Sequence, residues 1–108
     1  MYGLSKETDF SFFLRQQLER VVVHDAQAQL HFTNDVAAFI EGDCLIDNEI
    51  ADYKRLVEFV DAKVFGVTIQ DDGRLNILFE NGRRLSLLDS NEHYESYQIT
   101  GPDVMIIV

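Results

Sequence analysis

Hydrophobic and polar residues alternate along two blocks of this chain, and the breaks in the alternation fix the register. In the later block, Val67 and Ile69, then Leu75, Ile77 and Phe79, then Leu85 and Leu87 recur at every second position, the period of half-buried strands. The breaks are Asp71-Asp72-Gly73 and Glu80-Asn81-Gly82. A two-residue loop at Asp72-Gly73 would put Ile69 and Leu75 on opposite faces and divide the core. A three-residue loop, a type I turn closed by a left-handed glycine, sets Ile69 opposite Leu75 and Ile77 opposite Leu85.

The earlier block carries Val21 and Val23, then Ala28, Leu30 and Phe32, then Val36, Ala38 and Ile40 in the same alternation, broken near Asp25-Ala26 and at Thr33-Asn34-Asp35. An offset of 46 places Leu18, Val21 and Val23 on Val64, Val67 and Ile69. After the first turn an offset of 47 places Leu30, Phe32 and Asn34 on Ile77, Phe79 and Asn81. A two- or four-residue loop at Asp25-Ala26 keeps Val23 opposite Ala28, so both blocks retain one apolar face.

Between and around these blocks the spacing changes. Phe10, Phe13 and Leu14, with Thr8 or Asp9 as cap, predict a short helix. A second helix capped by Asp47 is expected to bury Ile50, Tyr53, Leu56, Val57 and Val60. Residues 94–100 predict a strand, 100–103 a turn and 104–108 a last strand. The expected fold is α+β and mostly antiparallel: one domain over residues 1–108, with two pseudo-repeated helix-plus-three-strand units (9–42 and 56–89) and a C-terminal hairpin (94–108). It closes into a sandwich or partial barrel around Val23, Leu30, Phe32, Ile69, Ile77, Phe79 and Leu85. Val22, Phe39, Leu78 and Leu88 fall on outward positions, which calls either for a covering element or for an association surface. The chain is accordingly expected to be a monomer or a weak homodimer.

Charge narrows the function classes. The chain of 108 residues has a formal net charge of -10, which argues against nucleic acid, whose binding rests on clustered Lys and Arg, and favours a basic protein as partner. Residues 41–61 hold seven acids against Lys54 and Arg55. Placed on the wet side of the second helix, Glu49, Asp52 and Glu58 would face such a partner. No apolar run approaches the ~20 residues of a membrane span, and the first residues lack the pattern of a signal peptide. A cytoplasmic location without membrane contact is expected. One cysteine, Cys44, excludes an internal disulfide.

The segment Glu92-His93-Tyr94-Glu95-Ser96-Tyr97-Gln98-Ile99, after Phe79-Glu80-Asn81-Gly82 and the Leu85, Leu87 strand, resembles a family of small uncharacterised bacterial proteins known as a domain of unknown function. In that family a Gly-centred hairpin precedes a Glu, an aromatic and an aliphatic at alternate positions, then a Gly-containing turn. Glu95, Tyr97, Ile99 and Gly101-Pro102 occupy those positions here. The family tends to place Gly after the helix preceding each first strand, where this chain has Arg15 and Asp61. The resemblance implies the fold and a bacterial source, and brings no activity with it.

Candidate chemistry is sparse. Glu95 beside Tyr97 on one strand face could orient a ligand; the structural alternative pairs Glu95 with Arg83 or Arg84 and buries the Tyr97 ring. A small-ligand module would use Tyr94, Tyr97 and Arg84 with His93 and Glu95 nearby. Glu92, His93 and Glu95 could be read as a metal group, but neither other histidine has a reason to lie near them, and His24 and His31 are separated by roughly 13 Å of strand. Acids around Cys44 disfavour a thiolate nucleophile. No phosphate loop, dinucleotide glycine pattern or hydrolase elbow occurs. The chain is therefore expected to be non-enzymatic, without cofactor or metal: an interaction module resembling immunity proteins that block basic toxins. Its binding residues would be Glu49, Asp52 and Glu58, or alternatively His93, Tyr94, Glu95 and Tyr97 for a small ligand.

Overall fold

The turn chemistry decides the strands. In the computed structural model, which describes residues 9–89, 96–102 and 104–107, Gly73 and Gly82 both have positive φ, 86° and 87°. Each closes a three-residue loop: the Gly73 N–H donates to Gln70 O at 3.0 Å, and the Gly82 N–H to Phe79 O at 3.0 Å. The expected register follows, with Ile69 opposite Leu75 and Ile77 opposite Leu85. At the corresponding turn of the earlier block, Asn34 and Asp35 take φ of 57° and 59°, and Asp25-Ala26 is a two-residue loop that leaves Val23 opposite Ala28.

Two antiparallel five-stranded sheets result. The first contains β1 (Leu18–His24), β2 (Gln27–Phe32), β3 (Ala37–Ile40), β9 (Tyr97–Gly101) and β10 (Val104–Ile107), in that order. The second runs from β5 (Glu49–Ile50) and β4 (Cys44–Ile46) through β8 (Arg84–Leu87) and β7 (Leu75–Phe79) to β6 (Val64–Ile69). The chain thus exchanges hairpins: β4–β5 leaves the first meander to pair with β8, and β9–β10 returns from the second to pair with β3. The inner faces share one core, including Phe13, Leu18, Leu30, Phe32, Ile46, Phe59, Ile77, Phe79, Leu85, Leu87, Tyr97 and Ile99.

The fold is all-β, which corrects the α+β expectation and its helix-plus-three-strand units. Both helices shrink to 3-10 turns, η1 (Ser11–Phe13) and η2 (Tyr53–Phe59). In a 3-10 turn, side chains three apart share a face, and Leu56 and Phe59 are buried while Val57 is 61% exposed. The helix expected to start at Asp47 is instead a hairpin. Asp47 and Asn48 have φ of 51° and 71°, the geometry of a two-residue I′ turn, which Asp and Asn tolerate. Ile50, on β5, is 78% exposed, and the helical spacing that grouped it with Leu56 was fortuitous. Val23, expected in the core, is 38% exposed, and Leu14 is 40% exposed because η1 ends before it.

The sheets meet at a corner. The Arg15 N–H donates to Val64 O at 2.8 Å and the Val64 N–H to Gln16 O at 2.9 Å; the Asp61 N–H donates to Leu18 O at 2.8 Å and the Leu18 N–H to Ala62 O at 3.0 Å. Arg15 and Asp61 both hold positive φ, 67° and 75°, so the sharp exit from each 3-10 turn occurs at the two positions where the resembled family tends to have Gly. The rings behind the corner pack in pairs, Phe13 edge-to-face with Phe32 at a centroid distance of 4.9 Å and Phe59 tilted against Phe79 at 4.7 Å.

The outer faces differ. On the first sheet, cross-strand pairing sets Arg20, His31, Ala37, Thr100 and Met105 in one row and Val22, Gln29, Phe39 and Gln98 in the next. On the second, Leu45, Ser86, Asn76 and Thr68 form a row in which Asn76 and Ser86 are buried and bonded, Ser86 Oγ donating to Asn76 Oδ1 at 2.6 Å. No helix among the described residues is long and apolar enough to cross a membrane.

Two substitutions test this account. Phe79→Ala should destabilise the fold by about 3–5 kcal/mol through loss of buried ring and residual cavity, read by urea unfolding. Arg15→Gly keeps the N–H to Val64 O and removes the left-handed penalty that a Cβ carries, so stability should rise by about 0.5–1 kcal/mol; a fall would show that the side chain contributes more than the strain costs.

Candidate functional site

The acidic stretch at residues 41–61 folds into β4, β5 and η2, and its carboxylates divide into two groups. The first is neutralised from within. Asp47 Oδ2 accepts from Arg83 Nη2 at 3.0 Å and Nε at 3.1 Å, while its Oδ1 accepts from the Arg84 N–H at 3.0 Å. Arg83 Nη1 donates to Glu58 Oε1 at 2.8 Å, and Arg55 Nε to Glu58 Oε2 at 2.8 Å. The Arg83 guanidinium also lies 5.0 Å from the centre of the Phe59 ring, within cation–π range. One arginine therefore fastens the β4–β5 turn and η2 to the start of β8. Bonds from Arg55 and then Arg83 hold the Glu58 carboxyl down at about 2. The Arg84 N–H and then Arg83 lower Asp47.

The second group surrounds Cys44 and Tyr53. Glu41, Asp43 and Asp52 are exposed on the chain segments that enclose this pair. The Tyr53 hydroxyl donates to Gly42 O, between Glu41 and Asp43, and Asp52 caps η2 by accepting from the Lys54 N–H at 2.9 Å. Cys44 is buried, with its thiol 3.7 Å from Ala51 O. Burial, then Asp43 and Asp52, push the thiol up to about 11. Burial, then Cys44, Asp43 and Glu41, push the Tyr53 hydroxyl up to about 12. A thiol with that environment stays protonated at neutral pH.

Of the residues predicted to bind a basic partner, Glu49 is exposed on β5 and Asp52 keeps one carboxylate oxygen outside the cap, but Glu58 is occupied by two arginines. Glu41, Glu49 and Asp52 take part in no salt bridge among the described residues. Gln27 Nε2 donates to Glu41 at 2.9 Å.

The residues predicted for a small ligand are not brought together in the described part. His93, Tyr94 and Glu95, with Glu92, lie outside the described residues. Tyr97 is a core residue, 1% exposed, and its hydroxyl donates to Gly73 O at 2.8 Å; burial, with Asp89 and Asp72, raises its pKa. Arg84 reaches Asn48 Oδ1 at 3.4 Å. His31 pairs across the strands with Arg20, well away from His24 at the first turn, and its ring sits edge-on to Phe39 at 6.1 Å. Burial and the Arg20 charge lower the His31 pKa. Among the described residues no three His, Cys, Asp or Glu side chains are grouped to hold a metal ion.

Arg83 was the residue that sequence reasoning misjudged. The clue available was Asp47-Asn48 between Leu45-Ile46 and Glu49-Ile50, a turn signal that brings Asp47 back over β8. Two shallow grooves of about 500 and 470 Å³ run beside β6 and share Leu14 as a wall, and neither collects a set of reactive groups.

These features define an acidic β domain of two hairpin-exchanged sheets. The chain belongs to a family of unknown function, DUF6188, whose sequence profile matches residues 11–108. No curated protein and no solved structure matches it.

Two measurements check the electrostatics. Because the folded pKa of Glu58 is depressed, its contribution to stability is present above its ordinary value of 4.5 and is lost as the pH falls toward about 2. Glu58→Gln should lower the melting temperature at pH 7 and flatten the acid limb of the stability curve. For Cys44, a thiol reagent at pH 8 should label the unfolded chain rapidly and the native chain only as fast as it opens.

Proposed function

We propose that the protein is a non-enzymatic interaction module that neutralises a basic protein partner in the manner of an immunity protein, acting in the cytoplasm. The observation that carries this reading is the second acidic group. Glu41, Asp43 and Asp52 are exposed on the segments around Cys44 and Tyr53, where after burial itself Asp43 and Asp52 add to the upward shift of the thiol and Asp43 and Glu41 to that of the phenol, and Glu41 and Asp52 have no salt bridge among the described residues. Adjacent like charges are unfavourable in isolation and are relieved when Lys or Arg side chains arrive from another molecule. Glu58 and Asp47, already matched by arginines, are excluded from the contact surface, whereas Glu49 extends it along β5.

The division of acids gives the test its controls. With a basic partner recovered from the host by cross-linking, the association rate should fall about tenfold or more between low and physiological salt. Glu41→Gln with Asp43→Asn should slow association by more than it changes the melting temperature. Glu58→Gln should do the reverse, lowering the melting temperature and leaving the rate unchanged. A partner whose association ignores both salt and the Glu41, Asp43 pair removes the acidic corner from the binding surface.

A further inference from the structure

We infer that the outer face of the first sheet is a self-association surface that pairs two copies of this chain about a two-fold axis. The inference stands on charge segregation. In a chain of net charge -10, the two cross-strand rows on that face contain no acidic residue; their only permanent charge is Arg20. Glu41 stands at the margin, hydrogen-bonded to Gln27. Two such molecules repel each other in most orientations, and this face lets them approach without stacking carboxylate on carboxylate.

On those rows the exposed side chains are Arg20 at one edge of the sheet and Met105, 64% exposed, at the other, with Val22 and Phe39 half-buried. In the corresponding row on the second sheet Leu45, Asn76 and Ser86 are buried and only Thr68, on the edge strand β6, is exposed. Ile50, Val57 and Phe65, the other apolar side chains more than half exposed among the described residues, occupy β5, η2 and β6 of the other half.

Size fits a second copy of modest affinity. Five strands ~4.8 Å apart, each about five residues long at ~3.3 Å per residue, present roughly 400 Å² of flat face. Two faces together bury on the order of 800–1,000 Å², below stable specific interfaces and in the range of weak, reversible ones. A two-fold operation makes the contact isologous, so Phe39 and Met105 of each copy meet the same rows of the other, and Gln29 and Gln98 supply donors and acceptors in matched pairs. The acidic corner touches this face only at Glu41; Asp43 and Asp52 lie on the segments that precede β4 and η2.

Sedimentation velocity of the full chain across about a hundredfold range of concentration tests it. The expected result is a reversible monomer–dimer equilibrium in the micromolar range that strengthens with added salt as the net repulsion is screened. That salt response is opposite in sign to the one expected for a basic partner. Met105→Glu and, separately, Phe39→Glu should weaken dimerisation at least tenfold, whereas Phe65→Glu should leave it unchanged. Met105 is largely exposed, so its variant keeps the test valid if Phe39→Glu fails to fold. A chain that remains monomeric at every concentration overturns the inference, as does a dimer that is indifferent to Met105→Glu or is broken by Phe65→Glu.

Discussion

The exchange of hairpins between the two sheets is the constraint on which the rest of the structure depends. β3 needs β9 beside it, and β8 needs β4. Neither meander completes its sheet with its own following strands, so each half of the chain supplies the other with two strands and their inner residues. Ile46 and Cys44 join the shared core from the second sheet in this way, as Tyr97 and Ile99 join it from the first. The corner bonds between residues 15–18 and 61–64 hold the sheets in the relation this exchange requires. Backbone groups at a sheet edge cost free energy if they are buried unpaired, and the exchange supplies an inner partner to both β3 and β8.

The same constraint explains which parts of the fold were legible in the sequence. Period-two alternation states which face a residue occupies, and the loop count at Gly73 and Gly82 states the register with the next strand. Both follow from local chemistry and both are seen in the structure. Alternation says nothing about which non-adjacent strand lies alongside, so the partners of β4 and β9 were out of reach. The helices failed for a different reason. Tyr53, Leu56 and Phe59 lie three apart and suit a 3-10 turn, but Val57 and Val60 supplied a competing fourth-residue spacing, and Asp47 was taken as a cap when its dipeptide with Asn48 makes a turn.

The candidate site divides along a similar line. Counting acids located the charged stretch correctly but could not tell matched carboxylates from unmatched ones, because Arg83 arrives from a strand distant in sequence. Its bonds to Asp47 and Glu58 depend on β8 lying beside β4, which is the exchange again. Tyr97 shows the converse. Its strand position was readable, yet its hydroxyl partner is Gly73 O, in a hairpin loop of the opposite sheet. A phenol that closes the gap between two sheets is unavailable to a ligand.

Exchanged hairpins also impose an order of events on a chain made from its N-terminus. The first meander can form soon after synthesis, but Ala38 and Ile40 face Ile99 and Tyr97, so the outer edge of β3 stays unpaired until β9 has emerged. Contacts of such sequence separation slow folding, and an unpaired apolar strand edge is a template for aggregation in the interval. Whatever the folded protein binds, the nascent one presents that edge first, and its yield in a cell depends on how fast the β9–β10 hairpin arrives.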